Sequence, residues 1–446
     1  MTSGQQSAIE RPLGATEDMY WRFDSVSPLN FGSIVRLEGV LDVDVLRFAL
    51  RALQQRHPLL RVYIETDGQG APWFREGTGD IHLQVLDQAS GQEWSLLETE
   101  LNTAFDTKSG PLIRCLLIKH NHQESTLITT YHHAICDGKS AIFLLRDIQQ
   151  SLAQMDAGEA AGLLPLPPVE YYGDRIPSME HYAENDGLRT AWKTVQASVK
   201  FMRRVGLPMG LRNKHEVPLS EQRLIVEPRF LEPELMKRIA KKAKVEKASV
   251  QCVLNAALSL AVAEDSPARF FHATSCTQVL DIRAQLIPSV GEDCGCFVSG
   301  ATSLHRLHGH TDFWQLTRDI HKRMLETLAT PLPFFHPAVH ESFAKFGRMM
   351  GESSMAKFSE LIGNLHPEGL SVSNLGQVKI EVENCPVRIT EFAFATNTNV
   401  LNYFNTSAAT FNGRMTWSFS GSSMLGRDRI AIIADRSINK ILDALE

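Results

Sequence analysis

The first 150 residues alternate between segments with strand-like and helix-like hydrophobic patterns. GSIVRLEGV (32–40) and LLRVYIE (59–65) are typical of β-strands. Between them, DVDVLRFALRALQQRH (42–57) places its apolar residues at helical spacing. Asp42 or Asp44 is suited to begin this helix, because a carboxylate accepts hydrogen bonds from the free N–H groups of the first turn.

A hairpin and a second helix follow in the same region. PLIRCLLIKH (111–120) and STLITTYHH (125–133) flank NHQE (121–124) and predict two largely buried strands joined by a turn. Apolar residues then recur at helical spacing and predict a helix from about 139 to 153. The residues that set this spacing are Ala141, Leu145, Ile148 and Leu152.

The pattern changes after residue 155. The stretch 155–178 is rich in Pro, Gly and acidic residues, which is typical of a linker or crossover. Periodic patterns resume beyond it. They predict helices over 233–244, 249–264, 311–328 (with Thr311 as N-cap) and 428–445, and strands over 221–228, 270–283, 369–382, 391–397 and 414–421.

Hairpins alternate with crossovers along the chain, so we predict an α/β (α+β) fold with mixed rather than all-parallel sheets. At 446 residues the chain is too long for one ordinary core. We therefore expect an N-terminal lobe over 1–155, a linker or crossover over 156–215, and a C-terminal lobe over 216–446.

Composition narrows the class of protein. The net charge of -6, without a long basic block, argues against nucleic-acid binding. Seven scattered cysteines are typical of reduced thiols. The N-terminal residues show no secretory signal pattern, and the most apolar run, 253–263, is too short to cross a bilayer. We expect a soluble, cytoplasmic, monomeric protein without a transmembrane segment.

The densest group of titratable residues is HHAICDG (132–138), between a predicted strand and a predicted helix. A neutral imidazole there can accept a proton from a hydroxyl or an amine. Consecutive strand residues point to opposite faces, so only one of His132 and His133 can face a given cleft. Asp137 and Gly138 then turn the chain into the helix, and glycine permits a close backbone approach.

Plainer interpretations of these residues remain open. Both histidines can be core residues that bind backbone carbonyls, and Asp137 can be a simple N-cap. A metal site lacks a third ligand at suitable spacing. No other residue in the sequence supports Cys136 as a nucleophile, and buried cysteines that do not react are commoner. We also expect HRLHGH (305–310) to be a solvated loop and CGC (294–296) to remain reduced.

HHAICDG resembles the HHxxxDG signature of the condensation-domain and chloramphenicol-acetyltransferase-like acyltransferase superfamily. Other segments resemble family stretches along nearly the entire chain, and two of them are similar to freestanding dimycocerosyl transferases of the phthiocerol type and to alcohol acetyltransferases. The DFGWG segment of plant members is absent, which favours the bacterial or fungal branch. The matching segments are RPLGATEDMYW (11–21), RHPLLRV (56–62), FDTKSGPLIRCLL (105–117), VLDIRAQL (279–286) and SVSNLGQV (371–378).

The resemblance implies two chloramphenicol-acetyltransferase-like lobes in a V-shaped pseudo-dimer, with a tunnel between them. It assigns the general base to His133, a structural ion pair to Asp137 and Arg283, and a packing role to His132. Neither a metal nor a bound cofactor is implied. The candidates for oxyanion or substrate contacts are the backbone N–H of Gly138 and the side chains of Ser373 and Asn374.

The activity implied is direct transfer of an acyl group from a thioester to an alcohol, giving an ester in natural-product or lipid biosynthesis. The donor would be acyl-coenzyme A or an acyl-phosphopantetheine carrier protein, and the acceptor a small-molecule alcohol or amine. Two alternatives stay open: a freestanding condensation enzyme that forms an amide, and a non-catalytic scaffold or recruitment protein of the same fold.

Overall fold

The computed structural model describes residues 9–87, 91–159, 162–184, 186–205, 211, 218–265, 272–334, 369–401 and 403–446. The helices are α1 (Ala15–Asp24), α2 (Val43–Arg56), α3 (Glu93–Leu101), α4 (Gly138–Asp156), α5 (Met179–Glu184), α6 (Gly187–Val205), α7 (Pro233–Val245), α8 (Val250–Asp265), α9 (Phe313–Leu328) and α10 (Arg427–Leu445). The strands are β1 (Glu10–Pro12), β2 (Asn30–Glu38), β3 (Val62–Thr66), β4 (Pro72–Glu76), β5 (His82–Asp87), β6 (Ile113–Lys119), β7 (Glu124–His132), β8 (Leu224–Leu231), β9 (His272–Asp281), β10 (Val298–Leu307), β11 (Gly369–Val378), β12 (Arg388–Thr396), β13 (Tyr403–Phe411) and β14 (Arg414–Ser422).

The first large sheet has the strand order β12-β2-β7-β6-β5. Its β6–β7 pair is the antiparallel hairpin expected around NHQE, whereas β5 runs parallel to β6. Central β7 is buried along nearly its full length, since it is paired on both edges and covered by the core. Helices α2 and α4 contact each other, and their apolar faces join the same hydrophobic core.

The second large sheet has the order β10-β9-β11-β13-β14-β8. Strand β11 is parallel to both β9 and β13, and the remaining pairs are antiparallel. Helix α8 is apolar on nearly all sides and lies in the core of this half, against α10 and the fully buried Trp417. A small sheet, β1-β4-β3, completes the described strands. The predicted α/β fold with mixed sheets is confirmed.

One strand crosses between the two halves of the chain. Strand β12 follows the second sheet's β11 in sequence, yet it pairs antiparallel with β2 at the edge of the first sheet. Its Phe392 and Phe394 are buried in the core that the N-terminal half builds. The first sheet therefore includes a strand from the range assigned to the C-terminal lobe, and the lobe boundaries themselves stay a prediction.

The starts of α2 and α4 agree with the sequence-based predictions, whereas the start of α9 differs. Asp42 caps α2 and accepts hydrogen bonds from the backbone N–H groups of its second and third residues. Helix α4 begins one residue before the predicted 139 and runs three residues beyond 153. The prediction of Thr311 as the cap of α9 is wrong: Asp312 caps the helix, because the Thr311 hydroxyl instead accepts from the N–H of His308 at 2.7 Å.

The predicted linker contains regular structure. Most of 162–178 is irregular, but α5 and the 19-residue α6 lie within the range 156–215. Among the described residues, no single helix is long and apolar enough to cross a membrane. Helices α7 and α8 reach that threshold only as a pair, and they bend by 99° at their junction.

The expectation of a solvated loop at 305–310 is wrong for its first residues. Strand β10 continues to Leu307, and His305 faces the interior with 5% of its surface exposed. Its Nε2 lies 2.7 Å from the hydroxyl of Ser303. Burial, with a smaller contribution from the charge of Arg323, lowers the pKa of His305 to about 3.

We expect His305 to make the protein less stable in mild acid. The unfolded chain binds a proton at this histidine below pH 6.5, whereas the folded protein does not until about pH 3. The contribution of His305 to the free energy of unfolding is therefore at its full value above pH 6.5 and decreases as the pH drops. The free energy of unfolding, measured with urea, should fall between pH 7 and pH 5 in the wild type. In His305→Gln this fall should be smaller by about 2 kcal/mol.

The exposed His82 of β5 provides the control. His82→Gln should leave the pH dependence of unfolding as in the wild type. An identical pH dependence in wild type and His305→Gln would contradict the burial of a neutral imidazole.

Candidate active site

The two histidines occupy different environments at the end of β7. His132 is the last residue of the strand and is completely buried, whereas His133 is the first residue beyond it and keeps part of its surface accessible. Residues 133–137 then connect β7 to α4. The two neighbouring residues thus differ in burial, and which of the two rings faces a cleft stays a prediction.

The interior ring of His132 supports the turn that follows it. Its Nδ1 accepts a hydrogen bond from the backbone N–H of Ala134 at 3.1 Å. Its Nε2 lies 3.6 Å from a carboxylate oxygen of Asp24, and the ring of Phe105 packs edge-on against it. These contacts fix the backbone on which His133 is carried.

His133 is packed among aromatic rings and a thiol. Its imidazole stacks on Tyr20 with ring centroids 4.8 Å apart and lies 5.2 Å from the ring of Phe31. Its Nδ1 is 3.7 Å from Sγ of Cys296. The surrounding protein desolvates the ring and lowers the pKa of His133, although the charge of Asp137 opposes that shift. The imidazole is therefore neutral at pH 7 and able to accept a proton.

Asp137 is fully buried and holds four N–H donors at once. It caps α4 by accepting from the N–H of Ser140 at 2.8 Å, and it accepts from the N–H of Phe297 at 2.8 Å. Arg283 donates from its two terminal nitrogens to the two carboxylate oxygens at 2.9 and 3.0 Å. Burial raises the pKa of Asp137, but the charge and hydrogen bonds of Arg283 with the backbone donors outweigh burial and lower it overall.

Arg283 brings the second half of the chain to this loop. It lies just beyond β9, donates to Ser140 Oγ at 2.8 Å and to Asp281 at 3.2 Å, and stacks over the ring of Phe297. Burial lowers the pKa of Arg283, but the two aspartates outweigh burial and raise it, so its charge is permanent. The pair that the resemblance implied is thus present as a buried, two-pronged ion pair.

Sequence reasoning missed several residues around this pair. Ser140 Oγ donates to the carbonyl of Gly295 at 3.0 Å and accepts from the Gly295 N–H at 3.1 Å, so one hydroxyl joins α4 to the CGC segment. Tyr20 and Cys296 contact the ring of His133. A serine at the third position of α4 is a weak signal, and nothing local points to Tyr20 or Cys296, which lie far away in sequence.

Gly138, Ser373 and Asn374 lie where α4 begins and β11 passes it. A Cβ on Gly138 would come within 2.9 Å of the Leu375 side chain, so glycine allows this close approach. Ser373 and Asn374 are half-buried and immediately precede Leu375. The carbonyl oxygen of the Asn374 side chain accepts from the N–H of Gly376 at 2.9 Å, which orients its amide. The role of these three residues in catalysis stays a prediction.

The RHPLLRV segment supports α4 from the opposite side. Arg56 and the buried His57 bind the same carboxylate oxygen of Asp147, at 2.7 and 2.8 Å. Arg146, next to Asp147 on α4, pairs with Glu292 in the CGC region. In the described ranges, no group of three or more His, Cys, Asp or Glu side chains is placed to hold a metal ion.

A family model described as the condensation domain matches residues 24–334. The chain belongs to the condensation-domain family. Phosphinothricin tripeptide synthetase PhsC of Streptomyces viridochromogenes is 31% identical over 174 residues, or 36% of this chain and 16% of that protein. Beauvericin nonribosomal cyclodepsipeptide synthetase BEA1 of Gibberella fujikuroi is 36% identical over 140 residues, or 31% of this chain and 4% of that protein. This condensation-domain chain spans only a small part of these curated relatives.

Solved structures with this fold cover nearly the whole chain. The trichothecene 15-O-acetyltransferase TRI3 of Fusarium sporotrichioides has a TM-score of 0.75 at 13% identity, with 100% of this chain and 97% of that chain covered. The first condensation domain of the CDA synthetase has a TM-score of 0.68 at 14% identity, with 98% and 96% covered. Polyketide synthase associated protein 5 of Mycobacterium tuberculosis has a TM-score of 0.65 at 17% identity, with 99% and 98% covered. At these identities the likeness shows the fold, and the family supports a transferase.

We expect Arg283→Met to lower the free energy of unfolding by about 3–5 kcal/mol, because it leaves the Asp137 carboxylate buried without its countercharge. Urea unfolding at pH 7 measures the loss. The double variant Asp137→Asn/Arg283→Met should recover much of it, since asparagine still caps α4 and no buried charge remains.

The surface pair Arg388–Glu38 is the matched control, with Arg388 75% exposed. Arg388→Met should cost less than about 1 kcal/mol. Equal effects of the two single substitutions would show that the buried pair does not stabilise the site loop.

Proposed function

We propose that this condensation-domain protein is an acyltransferase that moves an acyl group from a thioester to an alcohol and forms an ester. The observation that carries the proposal is His133, a half-buried residue whose imidazole is neutral at pH 7 because burial lowers its pKa. It lies beside a loop fixed by the buried Asp137–Arg283 pair.

In the proposed reaction His133 accepts the proton of the acceptor hydroxyl. The freed oxygen lone pair attacks the thioester carbonyl carbon, and the tetrahedral intermediate then collapses as the carbon–sulfur bond breaks. The departing thiolate takes the proton back from His133, so the enzyme ends unchanged. The first N–H groups of a helix have no partner within the helix, which makes Gly138 at the start of α4 a fitting oxyanion donor, and Ser373 or Asn374 of β11 are the side-chain candidates for the same role.

Asp137 takes a positioning role in this mechanism. Its carboxylate is engaged by Arg283 and by two backbone N–H groups, so it is held as a structural anion. The neutralised carboxylate raises the pKa of His133 less than a free one would, and the base remains uncharged. Holding acceptor and thioester together contributes the rest of the rate enhancement.

The donor in this proposal is an acyl-phosphopantetheine carrier protein or acyl-coenzyme A, and the product belongs to natural-product or lipid biosynthesis. Support for a carrier comes from two of the curated relatives, which are described as a nonribosomal cyclodepsipeptide synthetase and a nonribosomal peptide synthetase. Support for an alcohol acceptor comes from the shared fold of an O-acetyltransferase and from the RPLGATEDMYW and SVSNLGQV segments.

Amide formation is the second candidate function. The relatives described as peptide synthetases favour it, including the one from Streptomyces viridochromogenes. The same base serves either acceptor, because His133 can take a proton from an attacking amine as well as from a hydroxyl. The base itself therefore does not choose between the two acceptors, whereas the charge that each acceptor brings to the site does.

We expect His133→Ala to lower kcat/KM for acyl transfer by about two to four powers of ten, because the general base is lost. Product formation from a panel of acyl thioesters and small alcohols measures it by mass spectrometry. In the wild type, activity should rise with pH, with a midpoint below 6.5, and then level off, because burial lowers the pKa of His133.

His310→Ala, at an exposed turn, is the control and should retain wild-type turnover. If wild type and His133→Ala formed product at the same rate, His133 would not be the base. If neither formed product with any thioester in the panel, the scaffold alternative would be favoured.

We expect the enzyme to prefer an alcohol over the amine of the same carbon skeleton by at least about tenfold in kcat/KM. An alkylamine is an ammonium ion at pH 7, and bringing this charge to the buried ring of His133 carries a desolvation cost that Asp137, already paired with Arg283, does not offset. Competition between the two acceptors for one thioester measures the ratio. A preference for the amine would establish the amide-forming alternative.

A further inference from the structure

Helix α6 presents a row of large apolar side chains to solvent. Four of them recur at intervals of four, three and four residues, which aligns them along one face of the helix. Trp192 is 64% exposed, Val195 43%, and Leu188 and Val199 39% each. We call this row the α6 stripe: Leu188, Trp192, Val195 and Val199.

The side of α6 that is more covered by the protein carries small hydroxyl residues together with the apolar Phe201 and Val205. Thr190, Thr194 and Ser198 are only partly exposed, and the helix contacts α5, α9 and β10. The Thr194 hydroxyl donates to the Thr190 carbonyl, and the Ser198 hydroxyl donates to the Thr194 carbonyl, each at 3.0 Å. Surface helices of globular proteins ordinarily turn their apolar face inward. Helix α6 follows this rule only in part: Phe201 and Val205 lie on the more covered side, but the α6 stripe is left exposed and is available to a partner.

Positive charge lies along one side of the stripe. Between residues 187 and 205 there is no acidic residue, in a chain with a net charge of -6. At 100° per residue, the basic positions fall roughly 60° to 160° around the helix from Leu188. All five of them are exposed: Arg189, Lys193, Lys200, Arg203 and Arg204.

We propose that the α6 stripe docks this protein on an anionic lipid surface, with α6 lying in the plane of the interface. Apolar residues that include a tryptophan, next to Lys and Arg without acidic residues, match the composition of interfacial amphipathic helices. Basic side chains near an anionic leaflet strengthen binding, and this attraction falls off within a Debye length of the surface. The stripe forms a ridge about 17 Å long on one helix, which can insert between lipid headgroups without a matching groove.

The full chain should float with vesicles of phosphatidylcholine and phosphatidylglycerol in equal amounts. Binding should be at least tenfold weaker to pure phosphatidylcholine and should fall in 0.5 M NaCl, because salt screens the basic side chains. Trp192→Ser/Val195→Ser should weaken binding to the anionic vesicles at least tenfold. Lys193→Gln/Lys200→Gln should weaken binding and reduce its salt dependence.

The control is Phe48→Ser/Ile432→Ser, which removes two exposed apolar residues from other helices. It should bind vesicles like the wild type, and circular dichroism should show that all variants are folded. Absence of binding to the anionic vesicles overturns the proposal, as does binding that Trp192→Ser/Val195→Ser leaves unchanged. If the wild type does not bind vesicles but is a dimer in sedimentation equilibrium, and Trp192→Ser/Val195→Ser is a monomer, the stripe binds a second copy of the chain instead. Capture of an acidic carrier protein without vesicle binding assigns it to a protein partner.

Discussion

The site depends on the buried ion pair between Asp137 and Arg283. Two charges in the interior are tolerated because each is bound several times: the carboxylate by four N–H groups, and the guanidinium by two carboxylates and a hydroxyl. Such a pair adds little net stability relative to an apolar core, but losing one partner is costly. Its value here is geometric, because it holds the start of α4 and the turn after His133 in one position.

The same pair influences the chemistry of the neighbouring imidazole. A free carboxylate beside His133 would raise the pKa of the ring and favour its charged form. Because Arg283 neutralises Asp137, the carboxylate offsets only part of the pKa lowering that burial causes. The ring also stacks on Tyr20 and contacts Cys296, and its burial in the protein lowers its pKa. Burial and pairing together thus keep His133 in the form that accepts a proton.

Both halves of the chain are needed to build this environment. The first sheet carries the histidines at the end of β7, while Arg283, Gly295 and Phe297 come from the segment after β9. Strand β12 returns to the first sheet and adds its phenylalanines to that core. The outward stripe on α6 lies between α4 and β8 in the chain, in the range 156–215 that the sequence predicts to be a linker or crossover.

The sequence by itself determined the local features: the hairpin before the motif, the helix after it, a cap of α2 at Asp42 or Asp44, and the mixed α/β class, because periodicity and capping act within a few residues. Only the resemblance pointed to Arg283, which lies 146 residues from Asp137. Tertiary structure decided the crossing of β12, the contact of Cys296 with His133, the inward turn of His305 and the outward face of α6. A local pattern shows that a face is apolar or polar, but what covers that face depends on packing between segments far apart in the chain.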